Sequence, residues 1–207
     1  MKNQQRKEFL YKIIDFILNE KIKPKLIKCL WIAIYKIFII KGLDEFKMIE
    51  PKIKCNFISI TLDNCHRIKD FREESRVAQY RDKLMNSEIG YFAEHNGKII
   101  GSVWATINKT TMPKVVQTFK TIMYNEALIH DNVVSENFRG LRVGPFMESN
   151  MFSILLKEYK VSRLIADINV RNDAVSRMFN TLGVNVDHKM LYIALFGQPI
   201  LKLMLRK

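Results

Sequence analysis

Residues 133–149, VVSENFRGLRVGPFMES, constrain the fold more than any other stretch of the chain. A β-branched run ends in polar residues. Two glycines follow, with arginines beside and between them, and Pro145 then opens a segment that reads as a helix. A helix start exposes unpaired backbone N–H groups and carries the positive end of the helix dipole. Gly140 and Gly144 let the chain turn tightly and let a ligand approach the backbone. Arg139 and Arg142 add positive charge. Together these features make an anion site, most naturally for phosphate; a purely structural turn is the plain alternative. The loop has neither the Lys-Ser/Thr of a Walker loop nor the three glycines of a dinucleotide fingerprint.

The elements on either side predict alternating strands and helices. CNFISIT (55–61) reads as a strand, and the polar segment 63–87 as helix in two pieces. IGYFAEH and IIGSVWATI flank Asn96-Gly97, a strong hairpin signal. Residues 109–124 read as irregular with a short helix. EALIHDNVV (126–134) reads as a strand, 145–159 as a helix with Met147, Met151, Ile154 and Leu155 inward, and SRLIADINV as a strand. Residues 172–183 form a helix that Asn172 can cap at its start and Gly183 at its end. HKMLYIALF is a final strand, followed by a basic, apolar tail. The expected fold class is α/β, a mixed and mostly antiparallel sheet of six or seven strands flanked by helices.

Residues 1–50 read as a separate basic helical extension, with the globular domain at 51–207. Phe9, Ile13, Phe16 and Ile17 share a helical face, and a second helix is expected after Pro24, ending at Gly42. Its apolar run is too short and too lysine-containing for a membrane span. Residues 1–54 carry 13 Lys+Arg against 6 Asp+Glu, about half of the chain's net charge of +13. With Trp31, Tyr35 and Phe38, this charge suits peripheral contact of residues 1–41 with a membrane surface. Packing on the domain and a homodimer contact are the other two roles left open. Nucleic acid ranks last, because the charge is not interleaved with aromatics on the main domain. Cys29, Cys55 and Cys65 form neither a disulfide framework nor a zinc pattern, and the four histidines are scattered, so no metal site is expected. The N-terminus does not read as a signal peptide, and a reducing cytoplasm, with attachment at the inner membrane face, is the expected location.

Arg139-x-x-Arg142-x-Gly144 resembles the pyrophosphate loop of the GCN5-related N-acetyltransferase (GNAT) superfamily, Gln/Arg-x-x-Gly-x-Gly/Ala. The Asn96-Gly97 hairpin resembles that family's second and third strands, and LIHDNVV its fourth. NVRNDAVSRMFNTLGV resembles a later motif in which Asn is followed by Tyr and then Gly, here Asn172, Phe179 and Gly183. The resemblance covers about residues 52–196. It implies acetyl-CoA as cofactor, with the pantetheine arm along Asn132, Val133 and Val134. The pyrophosphate would lie on the N–H groups of Arg139, Gly140, Leu141, Arg142, Val143 and Gly144, near Asn172 and Phe179. Two positions depart from the pattern: Arg142 replaces the middle glycine, and Phe179 replaces the tyrosine that commonly reprotonates the thiolate, leaving Tyr192 or water to do so.

The resemblance implies direct attack of an acceptor amine on the thioester, and that amine must lose a proton. Glu126, His130 and Asp131 are the candidate bases. Strict alternation would place Glu126, Leu128, His130, Asn132 and Val134 on one face. Histidine has the side chain best matched to proton transfer near neutral pH. The expected function is N-acetylation of a small-molecule amine, for which an amino sugar is one example. The alternative is a catalytically idle module of this fold that binds a membrane surface or a regulatory partner.

Overall fold

The computed structural model describes residues 30–117 and 119–205. Their centre is an eight-stranded sheet, two to one more than expected, in the order β10-β9-β1-β8-β7-β4-β3-β2. In chain order the strands are β1 (Leu30–Ile40), β2 (Asn56–Ser59), β3 (Ile89–His95), β4 (Lys98–Ile107), β7 (Glu126–Val134), β8 (Arg163–Asn169), β9 (His188–Leu195) and β10 (Gln198–Leu205). A separate hairpin joins β5 (Lys114–Gln117) to β6 (Lys120–Ile122). Every pairing in the large sheet is antiparallel except β7 with β8. The helices are α1 (Arg76–Met85), α2 (Val143–Lys157) and α3 (Asp173–Leu182).

Helices α2 and α3 cover one face of the sheet. Met147, Met151, Phe152, Leu155, Phe179 and Leu182 pack there against Phe38, Ala127, Ile129, Leu164 and Ala166. On the other face, α1 and a 3-10 helix at Cys65–Asp70 bury Trp104, Tyr80, Phe92, Ile68 and Ile99. The expected turn at Asn96-Gly97 has positive φ at both residues, 49° and 75°, as a two-residue hairpin of matching twist requires. Asn172 caps α3 by accepting from the Val175 N–H, and Gly183 ends it at φ 76°.

Three expectations are corrected. Residues 30–40 are not helical: they form β1, inserted between β8 and β9. The run LWIAIYKIFII is apolar on both sides because its second half packs on both faces, Phe38 and Ile40 on one and Ile37 and Ile39 on the other, and it therefore lacks the alternation that marks a half-buried strand. The first 29 residues, including Phe9, Ile13, Phe16 and Ile17, lie outside the described residues. Residues 109–124 hold the β5–β6 hairpin instead of a short helix. The tail is edge strand β10, turned back on β9 through Phe196-Gly197, both at positive φ. No described helix is long and apolar enough to cross a membrane.

Candidate active site

Strands β7 and β8 pair only over Glu126–Ile129 and Arg163–Ala166. Beyond that point both continue, β7 to Val134 and β8 to Asn169, without bonding to each other. A cleft opens between two free strand edges. A bulge in β7 lies at the same level: Trp104 pairs with His130 and Ser102 with Val133, so Asp131 and Asn132 together face the single residue Val103. Asp131 takes the left-handed conformation, φ 52°. The bulge reverses the alternation. Glu126, Leu128 and His130 therefore stay on the α1 face, whereas Asn132 and Val134 turn toward α2, and the single shared face expected from the sequence is divided in two. Asn132 donates to the Gly144 carbonyl oxygen at 3.3 Å, and Val134 lies against the open side of Gly144.

The glycine loop sits at the mouth of this cleft. Among the described residues, the N–H groups of Gly140, Leu141, Arg142, Val143 and Gly144 make no well-formed hydrogen bond to a protein acceptor. These five donors surround the start of α2. The helix begins two residues before Pro145, and Arg142 is its N-cap, in the left-handed region at φ 62°, ψ 17°. That conformation costs a non-glycine residue about 1–2 kcal/mol. The Arg142 side chain is exposed, so it does not block the loop; Arg139 is also exposed and pairs with Glu136 at 3.2 Å. A Cβ at Gly144 would meet nothing closer than the Met178 sulfur at 3.4 Å. The glycine is therefore spared from backbone strain and leaves space beside the free edge of β7.

Beneath this mouth lies a buried carboxylate that the sequence reading missed. Glu148, one turn below Gly144, is 2% exposed and accepts a hydrogen bond from the Asn132 amide. Burial pushes its carboxyl up to about 7, against the smaller opposing effect of the Asn132 bond. Its place on the inward stripe with Met151 and Leu155 is visible at helical spacing.

The three candidate bases have different surroundings. Glu126 is 7% exposed, ion-paired to Arg163, and accepts from the Met123 N–H at 3.0 Å. It lies in the paired part of β7, about 13 Å along the strand from His130. Asp131 is held by Lys83 at 2.7 Å and Arg72 at 3.5 Å. His130 stands at the splay, its Nε2 3.3 Å from Glu88 Oε2 and 3.0 Å from Thr106 Oγ1. The Thr106 hydroxyl is the hydrogen-bond partner of Nε2, and the Glu88 carboxylate lies beside the ring without a directed hydrogen bond to it. Asp167, not singled out from the sequence, is the first β8 residue past the last pair with β7; its side chain is 6% exposed.

The remaining candidates are not gathered at the splay. Phe179 is buried between Phe38 and Phe152, with ring centres 4.1 and 6.2 Å away. It is a core residue here. Asn172 is engaged as the cap of α3. Tyr192 lies on β9, two strands from β8 and thus about 10 Å away. Burial, then the Asp167 charge, then Tyr35 push its phenol up to about 12, which makes it a weak proton donor to a thiolate.

The family model for the GNAT acetyltransferases matches residues 57–184, more than half of the chain. A comparison with curated proteins returns no match. Among solved structures, a protein from Novosphingobium aromaticivorans described as a GNAT-family acetyltransferase aligns with a TM-score of 0.54 at 10% identity, over 80% of this chain and 64% of its own. AAC(6')-Iy in complex with the bisubstrate analogue CoA-S-monomethyl-acetylneamine aligns at 0.50 and 12% identity, over 64% of this chain and 91% of its own. The glucosamine N-acetyltransferase region of a fungal multi-domain GH3 β-N-acetylglucosaminidase aligns at 0.55 and 14% identity, over 91% of this chain and 22% of that one. The chain spans less than two thirds of the N. aromaticivorans protein. At these identities the likeness establishes the fold.

Proposed function

Because the chain belongs to the GNAT acetyltransferase family, we propose that it transfers the acetyl group of acetyl-CoA to a primary amine on a small molecule. The observation that carries this reading is the β7–β8 splay. It has a cradle of unpaired N–H groups at one end and an imidazole–carboxylate pair on the opposite face. The residues present fit the cofactor. The N–H groups of Gly140 to Gly144 suit a pyrophosphate, with Arg139 and Arg142 close enough in sequence to add charge. The free edge of β7 at Asn132 to Val134 suits the amides of a pantetheine arm.

When bound, acetyl-CoA supplies the thioester: the amine's N–C bond forms, the C–S bond breaks, and CoA leaves as the thiol. The work of the chain is to hold the amine and remove its proton. His130 is our candidate for the base, held by the Thr106 hydroxyl and flanked by the Glu88 carboxylate. Asp131 is neutralised by two cations, and Glu126 is paired below the cleft. No tyrosine stands at position 179, but a thiolate of ordinary pKa near ~8.5 can take its proton from water.

The test is acetyl-CoA consumption followed as free thiol, with a panel of primary amines. Amine-dependent thiol release with an N-acetylated product is expected. Acetyl-CoA binding without release for any amine would overturn the enzymatic reading and favour a non-catalytic binding role. An amino sugar belongs in the panel, and the acceptor cavity below bears on its fit.

A further inference from the structure

Strand β1 precedes the residues matched by the family model, yet it supplies a wall of a cavity shared with β9 and the β5–β6 hairpin. The cavity is open to solvent, has a volume of about 350 Å³ and is lined chiefly by Trp31 and Tyr35 of β1, Phe119 and Lys120 of the β5–β6 hairpin, Gln117, and Tyr192 of β9. Phe119 lies nearly parallel to Trp31 (6.2 Å, 21°) and to Tyr192 (4.9 Å, 24°), and Tyr35 tilts against Tyr192 at 5.4 Å. Four rings thus form a continuous aromatic wall. Such a volume is in the range of small-molecule sites.

The inner end of the cavity is charged. Lys120 Nζ lies 2.8 Å from Asp167 Oδ2 and 5.6 Å from the centre of the Tyr35 ring. Asp167 is more than nine-tenths buried, and among the described residues its Oδ2 receives no directed hydrogen bond despite the nearby ammonium. Asp167 is also the residue at which β8 leaves β7. One buried and incompletely satisfied carboxylate therefore stands behind the cavity-lining Lys120, at the start of the β7–β8 splay. Lys120 reaches it by a long flexible stem from a short hairpin, so its ammonium can swing out to solvent when another cation takes its place on the buried carboxylate.

We propose that this cavity is the acceptor site, and that it takes a primary amine carried on a flat apolar ring, an arylalkylamine, whose ammonium replaces that of Lys120 on Asp167. The proposal rests on the acetyltransferase reading. A flat ring slides along the aromatic wall and gains both burial and stacking. A hexosamine would bring a hydroxyl on nearly every carbon, and each one left without a partner is penalised. Gln117, Lys120 and the two tyrosine hydroxyls cannot satisfy such a set. Tyr35 lies under the ammonium position, where the ring face favours a cation.

The experiment uses the full chain with acetyl-CoA and compares 2-phenylethylamine with glucosamine. Trp31 is 44% exposed and Trp104 fully buried, so a saturable change in tryptophan fluorescence on adding 2-phenylethylamine reports the cavity. The expected kcat/KM for 2-phenylethylamine exceeds that for glucosamine by about tenfold or more, the equivalent of one well-buried ring contact. Asp167→Asn should raise KM for the amine about tenfold, and Lys120→Gln should lower it, because an internal competitor is gone. Opposite signs from the two partners of one ion pair distinguish this role from a structural one, in which both variants would do harm. Neither should change acetyl-CoA affinity. Equal use of both amines, or changes of the same sign in the two variants, would overturn the proposal. If no amine turns over, the acetyltransferase reading fails by itself. The fluorescence titration, lost in Asp167→Asn if the site is right and unchanged if it is wrong, then decides the cavity.

Discussion

Replacing His130 with Gln should lower kcat by about 10²- to 10⁴-fold, the contribution of a positioned general base. The acetyl-CoA Kd should not change. His130 lies on the α1 face of the splay, opposite the glycine loop, and touches Glu88 and Thr106 instead of the loop. Glu88→Gln should show a smaller loss in kcat, because it acts through its charge beside the imidazole and not on the proton itself. Glu126→Gln tests the alternative. That residue is paired with Arg163 and lies about 13 Å from His130, so its loss should act on stability more than on turnover. Single-turnover rates for the three variants decide the matter. A His130→Gln enzyme with near-normal kcat would remove histidine from the mechanism.

Glu148→Gln should stabilise the protein at pH 8 by about 3 kcal/mol, judged from a shift of its carboxyl to about 7 from an ordinary 4.5. In the unfolded chain this carboxyl ionises near its ordinary value. In the fold it holds its proton until about 7, because burial outweighs the Asn132 bond. The stabilising contribution of the neutral acid is therefore complete below pH 4.5 and is lost as pH rises through about 7. Glutamine keeps an oxygen for Asn132 and never ionises. Urea unfolding at pH 4.5 and pH 8 should show wild type and variant alike at the lower pH and separated at the higher. A variant less stable than wild type at pH 8 would mean that the ionised carboxylate has a partner that holds it in place.

The hairpin at Asn96-Gly97, the glycine loop before α2 and the capped helix α3 were all legible from local signals, because turn chemistry and capping depend on a few adjacent residues. The order of these elements carried the family resemblance. Strand β1 was not legible. Its run of isoleucines between Trp31 and Ile40 has no alternation, because both faces are covered by partners far away in sequence. A short apolar run without a period suits a helix as well as a strand. The bulge at Asp131 was equally hidden. Nothing in EALIHDNVV announces an extra residue, yet that residue sends His130 and Asn132 to opposite faces of the sheet. Asp167 and the aromatic cavity arise only when β1, β6, β8 and β9 come together. Glu148 could have been found: it falls on the inward stripe of α2, where an acid is conspicuous among methionines and leucines.

Calorimetric titration of acetyl-CoA into the intact protein and into Gly144→Glu tests the central claim most directly. A Cβ at Gly144 has room, so the variant should fold, while its carboxylate would occupy and repel the anion site at the start of α2. Saturable one-to-one binding by the intact protein, abolished in the variant, is the expected result. No binding by the intact protein, or the same affinity in both, would contradict the assignment of the β7–β8 cleft as the acetyl-CoA site.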